Sequence, residues 1–160
     1  MPQSHAFQTH DHKSCKVHGL AHAEKLAKTQ GLRLTPVRRR TLEILLQEHR
    51  ALGAYDILEA LSESGFGSQP PVAYRALEFL VEHGLAHRIQ RLNAYTACVH
   101  PGEPHNPAFL ICEACKAVAE APSDGVQSAL SAAADTLGFT IEQSTIEAVG
   151  VCPACADAPL

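Results

Sequence analysis

Two cysteine pairs, Cys112-x-x-Cys115 and Cys152-x-x-Cys155, stand near the two ends of the last third of this 160-residue chain. Each pair can grip one metal ion from a tight turn, and the two together complete a tetrahedral thiolate shell for zinc. A redox role asks for a βαβ setting with a helix behind the first cysteine, and neither pair is followed by a helical pattern. Four protein ligands leave no open position for water, so this zinc is expected to hold the fold rather than do chemistry.

A second set of donors lies between residues 87 and 120. The segments "LAHRIQ" and "AYTACV" alternate apolar and polar residues and read as a hairpin turning at Leu92-Asn93. Pairing outward from that turn sets Ile89 opposite Thr96 and His87 opposite Cys98, close enough for two ligands of one ion. His100 and His105 follow in "PGEPHNP", and Glu120 ends the strand after the first cysteine pair. A His, Cys, His and carboxylate site at a junction between two units would tie their relative orientation to bound metal, which is how a sensor works. The thiolate favours zinc over harder ions such as iron or manganese.

Zinc with Cys, His and Glu also describes nucleobase deaminases, whose signature is H-x-E followed by P-C-x-x-C. The chain has His22-Ala23-Glu24, but no proline precedes Cys112 or Cys152. No enzyme is expected, and no small-molecule substrate. A non-catalytic zinc-ribbon module that binds other proteins would explain the cysteine pairs but leave the basic first half without a purpose.

The elements that must position these residues change period near residue 85. Upstream, apolar residues recur at helical spacing: Leu20, Ala23, Leu26 and Ala27 before Gly31; Val37, Thr41, Ile44 and Leu45 after Thr35-Pro36; Ala54, Ile57, Leu58 and Leu61 before Gly65; and Leu77, Leu80 and Val81 after Pro70-Pro71. Helices closed by a hairpin make a winged helix-turn-helix. Downstream, "AFLIC", "AVAE" and a long strand "FTIEQSTIEAVGVC" frame a helix in "SDGVQSALSAAADTLG". The expected fold is therefore α+β: a His-rich mobile tail (1–18), a winged-helix domain (19–99), a linker (100–107) and a small α/β domain with the four-cysteine zinc site (108–160). The tail carries His5, His10, His12, His18 and Cys15, and reads either as a mobile segment with adventitious metal affinity or as a third zinc site.

Charge divides along the same line. Residues 1–91 hold 12 Lys/Arg against 9 Asp/Glu, and residues 92–160 hold 1 against 8, within a net charge of −4. A basic half joined to an acidic one suits a nucleic-acid module attached to something else. With no apolar leader and no stretch of ~20 apolar residues, the chain is expected to be cytoplasmic with no membrane partner.

The motifs "RLTPVRRRTLEIL", "AYDILEAL", "PPVAYRALEFLVEHGLAHRI", "FLICEACKAV" and "GVCPAC" resemble the ferric-uptake-regulator family of metal-dependent repressors, and within it the zinc-sensing branch. The resemblance runs from about Leu20 to Cys155. It implies a homodimer that binds double-stranded operator DNA, with an N-terminal winged helix and a C-terminal dimerisation domain. It also implies two zinc ions per subunit: a structural one on Cys112, Cys115, Cys152 and Cys155, and a regulatory one on His87, Cys98, His105 and Glu120. An iron-responsive regulator is the alternative within the family. The family's DNA contacts fall on Tyr55 and Arg75, with Tyr74 beside them. Arg38, Arg39 and Arg40, on the preceding helix, are expected to hold phosphates while Arg75 reads a base edge. The chain departs from the family's commoner "PPTVYRAL" in having "PPVAYRAL", its histidine-rich start lies outside the core pattern, and His100 competes with His105 as linker ligand.

Overall fold

The computed structural model describes residues 6–8 and 11–158. The Asp11 carboxylate accepts the Lys13 N–H at 2.9 Å and starts α1 (His12–Gln30), which Gly31 ends in the left-handed region at φ 66°. This corrects the expectation of a tail reaching residue 18. The first turns of α1 are mostly exposed and polar, so no apolar period announces them, yet the aspartate cap begins the helix there. His5 and His10 lie outside the described residues.

Thr35 precedes α2 (Pro36–Leu45) without a capping bond from its side chain; Pro36, which lacks an N–H, opens the helix at no hydrogen-bonding cost. Next come β1 (Leu52–Gly53), α3 (Ala54–Glu63) and α4 (Pro70–Glu82). Ile57, Leu61, Leu77 and Leu80 are fully buried where these helices meet α2, with Leu20 and Ala23 of α1 packed against them. Val81, expected in that core, is 37% exposed. Ala73 and Ala76 take its place, because small side chains let α4 lie close.

The hairpin consists of β2 (Ala86–Ile89) and β3 (Ala94–Ala97), and β1 adds a third strand in the order β1-β3-β2 that periodicity over two residues could not announce. The register differs from the expected one. Ile89 faces Ala94 and His87 faces Thr96, with Asn93 at φ 47° closing a four-residue turn. Cys98 instead sends its N–H to the Leu85 carbonyl beyond the end of β2. His87 and Cys98 are therefore diagonal neighbours. A slip of two residues preserves the face each side chain occupies, so both still point the same way.

The second unit is a sheet of β4 (Ala108–Cys112), β5 (Val118–Ala121) and β6 (Ile146–Gly150) in the order β5-β4-β6, with α5 (Asp124–Thr136) crossing between β5 and β6. Strand β6 runs parallel to β4 on the edge away from β5, so the chain must cross over β4 through α5 to reach it. Residues 139–145, expected as part of that strand, are not in it, and a short α6 (Pro153–Ala156) forms within the second cysteine pair.

Phe109 in the middle of β4 pairs with Glu120 on one side and Glu147 on the other, which places both carboxylates on one sheet face. That face receives the wing. Ile89 joins Phe109, Ile111 and Val118 in a second apolar cluster, flanked by Ala51 and Leu92. Around it, Val118 N–H bonds the His49 carbonyl at 2.9 Å and Ala51 N–H bonds the Lys116 carbonyl at 3.1 Å. The Glu147 carboxylate accepts from the Gln90 and Arg91 N–H groups at 2.6 and 2.9 Å, one oxygen for each.

Candidate metal centres and nucleic-acid face

The turn after β4 carries Cys112 and Cys115, closed by Lys116 at φ 63° with its N–H on the Cys112 carbonyl at 2.9 Å. Strand β6 delivers Cys152 beside it, and α6 carries Cys155. All four sulfur atoms lie within 4.8 Å of one another. Cys115 Sγ and Cys152 Sγ are 3.8 Å apart. That is far beyond a disulfide's S–S bond and matches the edge of a tetrahedron with Zn–S about 2.3 Å, roughly 3.8 Å. Backbone N–H groups, that of Cys115 foremost and that of Cys152 next, lower the Cys112 pKa to about 6 and favour its thiolate. Interaction with Cys152 and Cys115 raises Cys155 to about 12, and burial raises Cys115. Four thiolates cannot coexist at this spacing without a cation. Phe7, from ahead of α1, packs against this cluster.

The second group is His87, Cys98, His105 and Glu120, again with donor atoms within 4.8 Å of one another. His87 comes from β2, Cys98 from the residue after β3, His105 from the connecting segment, and Glu120 from β5. Its hydrogen bonds specify the ligand. The His105 ring donates from Nδ1 to the Glu103 carbonyl at 2.6 Å, which leaves its Nε2 to face Cys98 Sγ at 3.5 Å and Glu120 Oε1 at 3.1 Å. The Val99 N–H holds Glu120 Oε2 at 2.6 Å and turns Oε1 toward the two imidazoles. His87 Nε2 is 2.6 Å from that oxygen, yet is buried without a hydrogen bond. Two imidazole nitrogens, a carboxylate oxygen and a sulfur brought this close together form a donor set that a single cation would bridge. Burial, and then the Glu120 charge, push the Cys98 thiol up to about 12. Burial opposes the charge on Glu120, but the His87 ring, the Val99 N–H and His105 outweigh it and hold the carboxyl below its ordinary range. A borderline-soft, four-coordinate ion such as zinc fits both donor sets. His100 stands outside the second group, its ring 6.1 Å from that of His105.

The residues expected to meet DNA fall into two sets. Tyr55 at the start of α3 is 69% exposed, and on α4 Tyr74 is 37% exposed and Arg75 also faces solvent. The three arginines of α2 are engaged within the fold. Arg39 bonds Glu24 of α1 at 2.8 Å and approaches Glu43 at 3.5 Å. Arg40 bonds Glu43 and the Ser64 hydroxyl, both at 3.0 Å. Arg38 lies 3.7 Å from the centre of the Phe79 ring and donates to the Arg33 carbonyl. Sequence reasoning missed Glu147 and Phe7, whose partners are remote in the chain and carry no local signal.

The profile of the ferric uptake regulator family matches residues 29–149. The zinc uptake regulation protein of Escherichia coli strain K12 is 38% identical over 139 residues, which are 86% of this chain and 81% of that protein. A zinc uptake regulator complexed with zinc and DNA superposes with a TM-score of 0.83 at 37% identity, covering 89% of this chain and 95% of that one. The relative XcZur has been solved in two states. Its holo form gives a TM-score of 0.77 at 36% identity, with 87% of this chain and 97% of that one covered. Its apo form gives 0.53 at 35% identity, with 89% and 99% covered. With both metal clusters, the winged helix and the matched profile in one polypeptide, this chain belongs to the ferric uptake regulator family.

Proposed function

We propose that this chain is a zinc-responsive transcriptional repressor. It binds operator DNA as a homodimer when zinc occupies the interdomain site, and so controls genes of zinc uptake and homeostasis from the cytoplasm. Residues 19–99, with the first turns of α1 ahead of them, form the DNA-binding domain, 100–107 the linker and 108–160 the dimerisation domain. Each subunit holds two zinc ions: a structural one on the four cysteines of the C-terminal unit, and a regulatory one on His87, Cys98, His105 and Glu120. The open apolar side chains of α5 and the loop after it, Val126, Leu130, Leu137 and Phe139, give the second copy a surface to cover.

One observation carries the reading. Identity and coverage for the holo and apo forms of XcZur are nearly equal, yet the TM-scores are 0.77 and 0.53. Equal sequence with unequal superposition is a difference in how the parts are arranged, and this chain has the arrangement of the metal-bound relative. In that arrangement the wing and the dimerisation sheet each bring a donor to the second site, while an open arrangement would leave the shell incomplete. Zinc therefore favours closure in proportion to its differential affinity, typically 1–3 kcal/mol or roughly 5–150-fold in coupling. Closure fixes the two α4 helices of the dimer relative to each other, and hence their match to two half-sites. The thiolate of Cys98 argues against iron as the regulating ion.

The test is Cys98→Ser. It should retain the dimer and one tight zinc per subunit while losing most of the zinc-dependent gain in operator affinity, read by a gel shift across buffered zinc concentrations. Unchanged affinity with unchanged zinc dependence would place the regulatory site elsewhere.

A further inference from the structure

The first turns of α1, expected as tail, lie against the rest of the molecule and carry donors that neither metal centre uses. Cys15, His18 and His22 stand within one stripe of the helix, and all three line a cavity of about 210 Å³ together with Glu48 and His49 of the segment after α2. Gly19 sits in the same stripe. A Cβ there would come within 2.8 Å of Leu46, so its absence allows α1 to close down on the end of α2. Cys15 and His49 are half-buried. The rings of His12 and His49 have centroids 5.3 Å apart, close to the 5.4 Å between His87 and His105 in the regulatory cluster. His12 and Cys15 are three residues apart and so share a face of the helix, with Cys15 on the cavity and His12 beside the His49 ring. Cys98 and Val99 also line that cavity.

We propose that His12, Cys15 and His49 form a third zinc site, a labile one from which the regulatory site is loaded. Two imidazoles and one thiolate suit zinc and leave the fourth position to water, and an ion with an open position exchanges faster than one in a closed shell. Among the described residues, only the two clusters described above hold three or more donors within 4.8 Å. The His12, Cys15 and His49 donors are farther apart than that, so the third site closes on its ion by rotation of these side chains: Cys15 and His49 on the cavity lining, and His12 beside the His49 ring. Cys98, shared between this cavity and the regulatory cluster, is the donor through which an ion passes from one to the other.

Two variants of the full-length protein test this, Cys15→Ser and His49→Gln. Neither residue belongs to the structural or regulatory set, and the His49 carbonyl that bonds Val118 survives substitution. In a zinc titration against a competing chromophoric chelator, the wild type should take three equivalents per subunit, the third weakest, and each variant two. Wild-type protein taking only two, or both variants keeping a third, would overturn the site. The loading role rests on zinc being the ion of the regulatory cluster, whereas the stoichiometry does not. For that role, protein holding only its structural zinc is mixed with zinc and operator DNA in a stopped flow. The variants should reach the wild-type end point several-fold more slowly, and equal rates would overturn the loading role.

Discussion

Arg75 and Arg39 show how a charged side chain's surroundings decide what it can do for DNA. Arg75 faces solvent on α4, so its guanidinium can present both donors to the edge of a guanine. Arg39 is already shared between Glu24 and Glu43, and a phosphate must compete with both. Arg75→Ala should cost about 1–3 kcal/mol on the operator and far less on random DNA. Arg39→Ala should lower affinity for both sequences alike and by less, and should also loosen α1 from α2. Competition gel shifts at two salt concentrations separate the cases, and equal losses on both DNAs for Arg75→Ala would remove it from base readout. The residue types at the metal centres are legible from the sequence because cysteine spacing is local, two residues apart within each pair. The engagement of Arg38, Arg39 and Arg40 is not, since Glu24, Ser64 and Phe79 belong to other parts of the chain.

At the scale of elements, the wing is held by a device with no sequence signature. Glu147 on β6 accepts two consecutive N–H groups from the hairpin turn, 57 and 56 residues away in the chain. Glu147→Ala leaves both donors to water and should weaken closure by about 1 kcal/mol, the worth of a partly exposed pair of such bonds. Because closure and zinc binding are linked, the regulatory zinc affinity and the operator affinity should both fall several-fold, while the structural zinc stays. Isothermal titration of the regulatory site checks this, and a variant weakened for DNA but unchanged for zinc would break the linkage. The hairpin register is hidden from the sequence for a related reason. Leu92-Asn93 suggests a two-residue turn, whereas a two-residue turn of the favoured type wants positive φ at both positions, and here Asn93 alone has it. The longer turn shifts the pairing by two residues and conserves each face, so His87 and Cys98 still meet despite the different register. Helices α2 to α4 are legible because each buries one apolar stripe; the start of α1 buries almost nothing and leaves no period to read.

At the scale of the molecule, two hydrophobic clusters and one cysteine cluster divide the work. The large one is built by α1 to α4 with the wing and needs no metal. The C-terminal unit has a thin core, so on the proposed reading, in which its four cysteines hold a structural zinc, Cys112→Ser should lose that zinc and with it cooperative unfolding of that unit and the dimer. The winged-helix core should keep its own transition. Circular dichroism melts with and without a strong chelator, alongside sedimentation, measure both, and a Cys112→Ser protein with full zinc and an intact dimer would contradict the structural role.

The order in which the chain leaves the ribosome gives the cysteine cluster a further meaning. The first pair emerges with β4, but its partner Cys152 follows 40 residues after Cys112, and Phe7, made more than 100 residues earlier, packs on them. The helical half can fold while translation continues, since domains fold from the N-terminus onward. The cluster can form only once Cys152 and Cys155 have been added to the first pair. On the proposed reading, zinc scarcity during synthesis would leave a finished winged helix joined to an unstapled partner-binding half, open to proteolysis, whereas chains already stapled would persist. The amount of regulator would then follow the zinc supply when it was made, separately from the rapid signal proposed for the interdomain site.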